Sequence, residues 1–304
     1  MNKKIFTIVL CLLTLLYNTA AQVKMPDSKG SKPGAVITLP FELINSYPMV
    51  KCQVDGKDGL LLFDTANTGD ALSLNINYFD VAKDHLNKLG EGFYGSGQKF
   101  TVYGKKVDNF ACGNLVKTSF DSTLNDMKGP EKAMGGSLLG MIGVSMLLDY
   151  EVLVDYSKKA IKLYPLNPDG ELVGKRDVKL KPKTVINFDL DKNLPIADAF
   201  IKSKDRTEKI RVSFDTGTPV VVVKDTLKDS WIAAKFVEES EDDRYRSMIS
   251  FQTTDKGHPI DNMVFANQSH MDAAGYKFDI NLGYPFLKAQ PTLWNFKKKT
   301  LTLF

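Results

Sequence analysis

Short strand-like runs alternate with turn-forming residues along most of the chain, and this pattern predicts a mainly β protein with short helices. Residues 48–54 and 60–63 flank the turn sequence 55–59, so together they predict a hairpin that ends directly before Asp64. Further strands in the first half are predicted at residues 100–103, 107–111, 153–156 and 160–164.

One segment has helical spacing instead. Phe79, Ala82, Leu86 and Leu89 recur at intervals of three or four residues, and Gly90 follows them. This spacing predicts a short amphipathic helix that ends at the glycine.

The order of elements in the first half recurs in the second half. The strand ending at residue 63 leads into Asp64, and the run 210–214 leads into Asp215 in the same way. Residues 143–164 align without gaps on residues 283–304, each segment running from a glycine into two strands. Two long similar units indicate an internal duplication rather than a solenoid. We therefore expect an N-terminal lobe, a connector rich in Pro and Gly, and a C-terminal lobe, at residues 35–165, 166–178 and 179–304.

The N-terminal residues have the composition of an export signal. Two lysines precede an apolar run over residues 5–16, and small residues then lead up to Ala21. This order predicts a signal peptide over residues 1–21, cleaved after Ala21, followed by a flexible leader over residues 22–34. We expect soluble export to the periplasm or the extracellular space. The apolar run is too short to span a bilayer comfortably, and no later stretch of the sequence is long and apolar enough.

Charge and composition argue against several classes of partner. The 304 residues include 40 Lys and Arg against 36 Asp and Glu, a formal net charge of +4 without a long basic block. A balance this even gives no reason to expect a nucleic-acid partner. The histidines at 85, 258 and 270 lack metal-ligand spacing, so neither a metal nor another cofactor is expected.

The cysteines leave one structural question open. Cys11 falls within the predicted signal peptide, so Cys52 and Cys112 are the two that remain after cleavage. In an oxidising compartment they could form a disulfide, and the alternative is two small buried thiols that never meet.

Two matching motifs carry the candidate chemistry. Asp-Thr-Ala at residues 64–66 and Asp-Thr-Gly at residues 215–217 each follow an apolar strand and precede turn-forming residues. Each motif is followed later by a segment ending in glycine, at residues 141–143 and 281–283, and the second of these has an asparagine in place of its first apolar residue. On these motifs the chain resembles the pepsin-like aspartic proteases, and more closely their shorter bacterial retropepsin-like relatives, over residues 36–304.

The resemblance implies that Asp64 and Asp215 form a catalytic pair between two β-rich lobes. Two carboxylates about 3 Å apart share one proton, because they cannot both ionise comfortably. The ionised partner would take a proton from a water molecule that attacks a peptide carbonyl, and the protonated partner would hydrogen-bond the developing oxyanion. The expected partner is a peptide or protein substrate in the cleft between the lobes. The resemblance also implies supporting roles around the pair for Thr65, Asn67, Thr216, Gly217 and Thr218.

Within that set, Thr65 and Thr216 would brace the two loops across the interface, and Asn67 and Thr218 would lie beside the outer carboxylate oxygens. A further segment, Tyr94 to Gly97, resembles the tip of the flap that closes over substrate in this family. Its four residues are Tyr94, Gly95, Ser96 and Gly97. The alternative for this segment is a plain glycine-rich hairpin.

The first motif departs from the family pattern. Ala66 stands where glycine is expected, and Asn67 stands where a small hydroxyl residue is usual. Ala66 would strain the loop at a positive φ and would fit at a negative φ, so a slow enzyme is expected if the loop is strained. A second hypothesis is an inactive protein of the same fold that binds an extended peptide or a glycan-linked ligand in the cleft. A third is a secreted structural domain in which both motifs are ordinary turns.

Overall fold

The computed structural model describes residues 34–67, 71–82, 85–94, 99–191, 194–202, 206–239, 245–248, 251–252, 263–268 and 277–304. Within these ranges the chain is mainly β-strand with a few short helices, which confirms the predicted fold class. The predicted signal peptide and nearly all of the predicted leader lie outside the described residues. Among the helices that are described, none is long and apolar enough to cross a membrane.

The first half of the chain forms ten strands and two short helices within the described residues. The strands are β1 (Ile37–Ile44), β2 (Tyr47–Val54), β3 (Lys57–Phe63), β4 (Leu72–Asn75), β5 (Lys88–Phe93), β6 (Lys99–Cys112), β7 (Leu115–Asn125), β8 (Gly140–Ile142), β9 (Tyr150–Asp155) and β10 (Ala160–Pro165). The helices are α1 (Lys128–Met134) and α2 (Val144–Leu147), and a 3-10 turn covers Ile76–Tyr78.

The second half follows the same plan. Its strands are β11 (Thr184–Asn187), β12 (Asp189–Asp191), β13 (Leu194–Lys202), β14 (Thr207–Phe214), β15 (Val221–Lys224), β16 (Val237–Glu239), β17 (Tyr245–Met248), β18 (Phe251–Gln252), β19 (Met263–Gln268), β20 (Ile280–Leu282), β21 (Thr292–Asn295) and β22 (Thr300–Leu303). Its helices are α3 (Lys228–Ala233) and α4 (Tyr284–Leu287), and Asp225–Leu227 is a second 3-10 turn.

Each lobe contains one large sheet, and the two sheets use equivalent strands. The first runs β1-β2-β3-β8-β4-β7-β6-β5, and the second runs β12-β13-β14-β20-β15-β19-β17-β16, with β18 attached to β13. β3 pairs in parallel with β8, and β14 pairs in parallel with β20. Since β3 and β14 end directly before Asp64 and Asp215, this arrangement places both aspartates at the same kind of sheet edge.

The predicted hairpin before Asp64 is confirmed. β2 and β3 are antiparallel and are joined by Asp55 and Gly56, whose φ values are 48° and 78°. Positive φ at both central residues is the geometry of the two-residue turn whose twist matches that of the strands, and an Asp-Gly sequence favours it. The last three residues of β3 are fully or almost fully buried, so the strand that positions Asp64 is anchored in the core.

The predicted helix over residues 79–89 is wrong. Among the described residues of this segment only His85 has a helical conformation, of the 3-10 type, and β5 begins at Lys88. β5 pairs with β6 from Lys88 to Phe93, so strand pairing decides the conformation here. The apolar spacing therefore did not mark a buried helical face, and Leu89 is 55% exposed.

The two strands predicted at residues 100–103 and 107–111 are one strand. β6 continues through the polar residues 104–106 because β7 pairs with it from Tyr103 to Cys112. A long neighbouring strand supplies backbone partners throughout, so a short polar interval does not end the element.

Six strands in the order β11-β22-β21-β9-β10-β1 join the two halves, and they are continuous with the first sheet through β1. β21 and β9 are antiparallel neighbours among them, and Leu293 lies opposite Leu153. In the gapless alignment of residues 143–164 with 283–304 these two leucines also correspond to each other. On either side of this pair, Trp294 lies opposite Val152 and Thr292 lies opposite Val154. The same alignment matches Val152 with Thr292 and Val154 with Trp294, so it converts each of these two pairs into the other. The pairing is therefore unchanged when the halves are swapped, as an internal duplication requires.

A disulfide fastens the first sheet. The structure bonds Cys52 of β2 to Cys112 of β6, with 4.3 Å between their Cα atoms. Both residues are buried, close to the point where the two strands pair at Val54 and Phe110. Of the two alternatives that the sequence leaves open, the structure has the bonded one.

Candidate active site

The two aspartates occupy equivalent positions at the junction of the lobes. The backbone N–H of Asp64 donates to the carbonyl of Ile142 at 3.1 Å, and that of Asp215 donates to the carbonyl of Leu282 at 3.0 Å. These bonds continue the parallel pairing of β3 with β8 and of β14 with β20. The backbone of each aspartate is therefore held by the buried strand before it and by a hydrogen bond to the residue that precedes Gly143 or Gly283.

Two buried threonines tie the loops together. The N–H of Thr65 donates to Thr216 Oγ1 at 3.0 Å, and the N–H of Thr216 donates to Thr65 Oγ1 at 3.1 Å. The hydroxyls in turn donate across the junction, from Thr216 to the carbonyl of Phe63 at 2.7 Å and from Thr65 to the carbonyl of Phe214 at 3.4 Å. Neither threonine is exposed to solvent. The structure thus places both where the resemblance implied a brace.

The carboxyl groups of Asp64 and Asp215 lie against each other. A hydrogen bond joins the two side chains, and Asp215 is only 8% exposed. Burial, followed by the charge of Asp215, raises the pKa of Asp64 well above its usual range, although the N–H groups of Ala66 and Asn67 oppose this shift. One carboxyl of the pair is therefore suited to hold a proton where an isolated aspartate would have lost it.

Ala66 fits its loop without strain. It is not among the residues with positive φ, and its N–H donates to Asp64 Oδ1 at 2.8 Å. The matching bond from the N–H of Gly217 to Asp215 Oδ1 is 2.7 Å long. The Ala66 methyl group packs against a cluster of the second lobe, formed by Leu194, Ile196, Val222 and Phe278. The strain that would make the enzyme slow is therefore absent.

The outer oxygens of the pair have different partners. Thr218 Oγ1 donates to Asp215 Oδ2 at 2.6 Å, as the resemblance implied. The side-chain carbonyl of Asn67 instead accepts a hydrogen bond from Ser73 Oγ at 3.2 Å, and the backbone N–H of Asn67 donates to the backbone carbonyl of Asp64 at 3.3 Å. Asn67 therefore supports Asp64 through its backbone.

Sequence reasoning missed Asn281. Its side-chain Nδ2 donates to Asp215 Oδ2 at 2.8 Å and lies 3.2 Å from Thr218 Oγ1. The signal was present, because Asn281 is the polar residue that breaks the apolar-apolar-glycine pattern of the second motif. A polar residue at a position that normally packs is a candidate for contact with a buried charge.

Sequence reasoning also missed two tyrosines near the pair and a third beside one of them. Burial, then Asp215 and then Asp64 raise the pKa of Tyr47, and burial followed by Asp215, Tyr284 and Asp64 raises that of Tyr156. The rings of Tyr156 and Tyr284 are 5.3 Å apart, edge to face. The Tyr156 hydroxyl has no hydrogen-bond partner among the described residues. These side chains surround the carboxyls with neutral, largely apolar surface.

The predicted flap segment is described only at its first residue. The Tyr94 hydroxyl lies 2.8 Å from Asn125 Oδ1 and also contacts the carbonyl of Asp126. Its ring packs on Phe100, with 4.2 Å between the ring centroids, and burial raises its pKa. Gly95, Ser96 and Gly97 lie outside the described residues, so both interpretations of this segment stay predictions.

The site offers acid–base chemistry between two carboxyls. Within the described ranges, no group of three or more His, Cys, Asp and Glu side chains is arranged to hold a metal ion. A pair of aspartates with one raised pKa can donate one proton and accept another in the same reaction.

Comparison with known proteins places the fold. No family model matches the chain, and no curated protein matches it. Among solved structures, the chain is similar to the aspartic proteinase from Irpex lacteus, with a TM-score of 0.56 and 11% sequence identity. The match covers 88% of this chain and 97% of that one. The fold is therefore pepsin-like, and at this identity the likeness concerns the fold alone.

Proposed function

We propose that this protein is an exported aspartic-type endopeptidase in which Asp64 and Asp215 activate water for attack on a peptide bond. The observation that carries the proposal is the hydrogen bond between the two carboxyl groups, in loops braced reciprocally by Thr65 and Thr216. A brace that is symmetric and fully buried is what an aligned pair of acids requires, because misplacement by about 1 Å can cost roughly 100-fold in rate.

The mechanism needs one protonated carboxyl and one ionised carboxylate. The ionised carboxylate accepts a proton from water, and the water oxygen bonds to the peptide carbonyl carbon. The protonated carboxyl donates its proton to the carbonyl oxygen, which takes up the electron pair of the former double bond. The buried surroundings strengthen both interactions, since few water molecules compete for them.

The same proposal includes the division of the chain into segments and the export of the protein from the cytoplasm. Residues 1–21 act as the signal peptide, residues 22–34 as the leader, and residues 35–165 and 179–304 as lobes joined by the connector. A disulfide suits an oxidising compartment such as the periplasm or the extracellular space. N-terminal sequencing of the exported protein tests this directly, because the proposal requires the mature chain to begin at Gln22, and retention of Met1 on a cytosolic protein would contradict it.

The catalytic proposal is tested on an unfolded protein substrate from acid to neutral pH. The wild type should cleave it, and Asp64→Asn and Asp215→Asn should each lower kcat/KM by on the order of 1,000-fold or more. Asp80→Asn is the control, because this carboxylate is fully exposed and pairs with Lys57 at the end of β3 opposite to Asp64. Circular dichroism of all variants shows whether the fold survives. Undiminished cleavage by a folded Asp215→Asn protein would reject the proposal.

A second candidate is an inactive protein that binds an extended peptide or a glycan-linked ligand. The observation favouring it is the unequal support of the pair, since a hydroxyl of Thr218 donates to Asp215 whereas the side chain of Asn67 faces Ser73. It predicts that a folded wild type leaves every unfolded substrate uncleaved yet retains binding of extended peptides. The endopeptidase proposal includes a closer relationship of this chain to the bacterial retropepsin-like proteins, and the binding-protein candidate does not.

A further inference from the structure

The strands next to the two aspartates are built from different residues in the two lobes. Leu62 pairs with Met141 in the first lobe, and the equivalent pair in the second lobe is Ser213 with Asn281. On the other side of these positions, Ser73 lies opposite Met141 and Val222 lies opposite Asn281. Polar residues therefore occupy two adjacent strands beside Asp215, where the first lobe has Leu and Met beside Asp64.

The polar residues of the second lobe form a chain of hydrogen bonds with one direction. Ser213 is fully buried, and its hydroxyl donates to Asn281 Oδ1 at 2.6 Å. Because the amide oxygen faces Ser213, the amide Nδ2 faces Asp215 Oδ2 at 2.8 Å. Nδ2 also lies 3.2 Å from Thr218 Oγ1, whose own proton goes to Asp215 Oδ2 at 2.6 Å. Ser213 therefore donates to Asn281, and Asn281 and Thr218 both donate to the same carboxylate oxygen, Asp215 Oδ2.

We propose that Asp215 is the ionised member of the pair and Asp64 carries the shared proton, and that Asn281, oriented by Ser213, is the positioning residue that fixes this division. The catalytic consequence rests on the proposed function, whereas the protonation states do not.

The hydrogen-bond donors around each carboxyl carry this assignment. Asp215 accepts bonds from the N–H of Gly217, the hydroxyl of Thr218 and the amide of Asn281, and two of these donors meet at Oδ2. Asp64 receives backbone N–H groups, and it hydrogen-bonds to Asp215. Donors aimed at a carboxylate stabilise its ionised form, and a proton placed on Oδ2 of Asp215 would oppose two of them. The raised pKa of Asp64 agrees with its role as the proton carrier.

The assignment gives each aspartate a definite step. Asp215 takes the proton of the attacking water while the water oxygen bonds to the carbonyl carbon. The carbonyl oxygen receives the electron pair of the double bond and the proton of Asp64. The pair ends the step with Asp215 protonated and Asp64 ionised, so total protons and charge are conserved.

Among the described residues, the other ionisable side chains near the pair do not compete for this role. They are Tyr47 at the start of β2 and Tyr156 after β9, and Tyr284 at the start of α4 lies beside Tyr156. Burial raises the pKa of Tyr47 and of Tyr156, so both stay neutral through the range in which carboxyls titrate. The pH dependence of the pair in acid therefore follows the two carboxyls and their hydrogen-bond donors.

The test replaces Asn281 by the residue that the first lobe has at the equivalent position. Asn281→Met removes one donor to the ionised carboxylate, so the acid limb of the kcat/KM profile should move up by about one pH unit. Ser213→Ala leaves the amide in place but frees its orientation, and should give a smaller shift in the same direction. Met141→Leu is the matched control in the other lobe and should leave the profile unchanged. A purely structural role for Asn281 would lower activity at every pH without moving the limb, and that result would overturn the inference.

A second measurement needs no activity. Wild-type protein labelled with ¹³C at the aspartate carboxyls is titrated by NMR, with Asp64→Asn and Asp215→Asn used only to assign the two signals. As the pH rises, the first deprotonation should move mainly the Asp215 signal. If Asp64 responds first, the inference is overturned even though cleavage is intact. If the Asp215 signal responds first but no substrate is cleaved, the inference stands and the proposed endopeptidase function fails.

Discussion

Gly217 is the loop position where a single methyl group should disable the pair. A Cβ at residue 217 would lie 2.5 Å from Asp64 Cγ and 2.7 Å from both of its carboxylate oxygens, where ordinary contacts are 3.4–4 Å. The obstacle is the carboxyl group of Asp64 itself, so it must move by about 1 Å to admit the methyl group. A displacement of that size in a reacting group costs roughly 100-fold in rate. We therefore expect Gly217→Ala to lower kcat/KM by about that factor.

Two matched variants separate this effect from a general loss of glycine or a general change in the loops. Gly136→Ala adds a methyl group where nothing lies within 4 Å and φ is not positive, so activity should be unchanged. Ala66→Gly gives the first loop the residue that Gly217 has in the second loop, although Ala66 is already unstrained and its N–H reaches Asp64 at 2.8 Å. It should therefore not increase the rate. The assay is initial-rate cleavage of an unfolded protein at the optimal pH, with thermal unfolding followed in parallel.

A folded Gly217→Ala protein that keeps kcat/KM within about threefold of the wild type would contradict this expectation. That result would mean either that the loop yields at no cost or that Asp64 is not the reacting group. A large gain from Ala66→Gly would show instead that the first loop is misaligned despite its hydrogen bond.

Three further predictions concern stability. Thr216→Val leaves the buried carbonyl of Phe63 without its 2.7 Å partner, so the free energy of unfolding in urea should fall by about 1–3 kcal/mol or more. Reduction of the bond between Cys52 and Cys112, 60 residues apart, should lower it by roughly 4 kcal/mol, and unchanged stability would contradict the bond. The raised pKa of Asp64 means that the folded state binds its proton more tightly than the unfolded state, so this contribution is full at low pH and is lost as pH rises through the raised value. Asp64→Asn should therefore flatten the decline in unfolding free energy above about pH 4 that the wild type shows, and a parallel decline in both would contradict the shift.

Much of the site could be predicted because its residues repeat along the chain. Asp64 and Asp215 each follow a buried strand and precede a threonine, and a glycine-ended segment comes later in both halves. Local sequence was also sufficient at Asp55-Gly56, where turn chemistry alone determines the hairpin.

The missed features depend on pairing between distant strands. Asn281 reaches Asp215 only because β14 and β20 are parallel neighbours, although the two residues are 66 positions apart. The helix predicted around Leu89 failed for the same reason, since pairing of β5 with β6 outweighed a weak helical spacing. The sequence also could not show whether the backbone is strained at Ala66, because this depends on the φ angle and on the apolar cluster around the methyl group.

Neutron diffraction from deuterated crystals of the mature protein at about pH 4 would show directly whether Asp64 and Asp215 share one proton. We expect adjacent carboxyls with a single deuteron between them, bonded to Asp64 and donated to Asp215. Two deuterons or none, or carboxyl groups too far apart to hydrogen-bond, would contradict a shared proton.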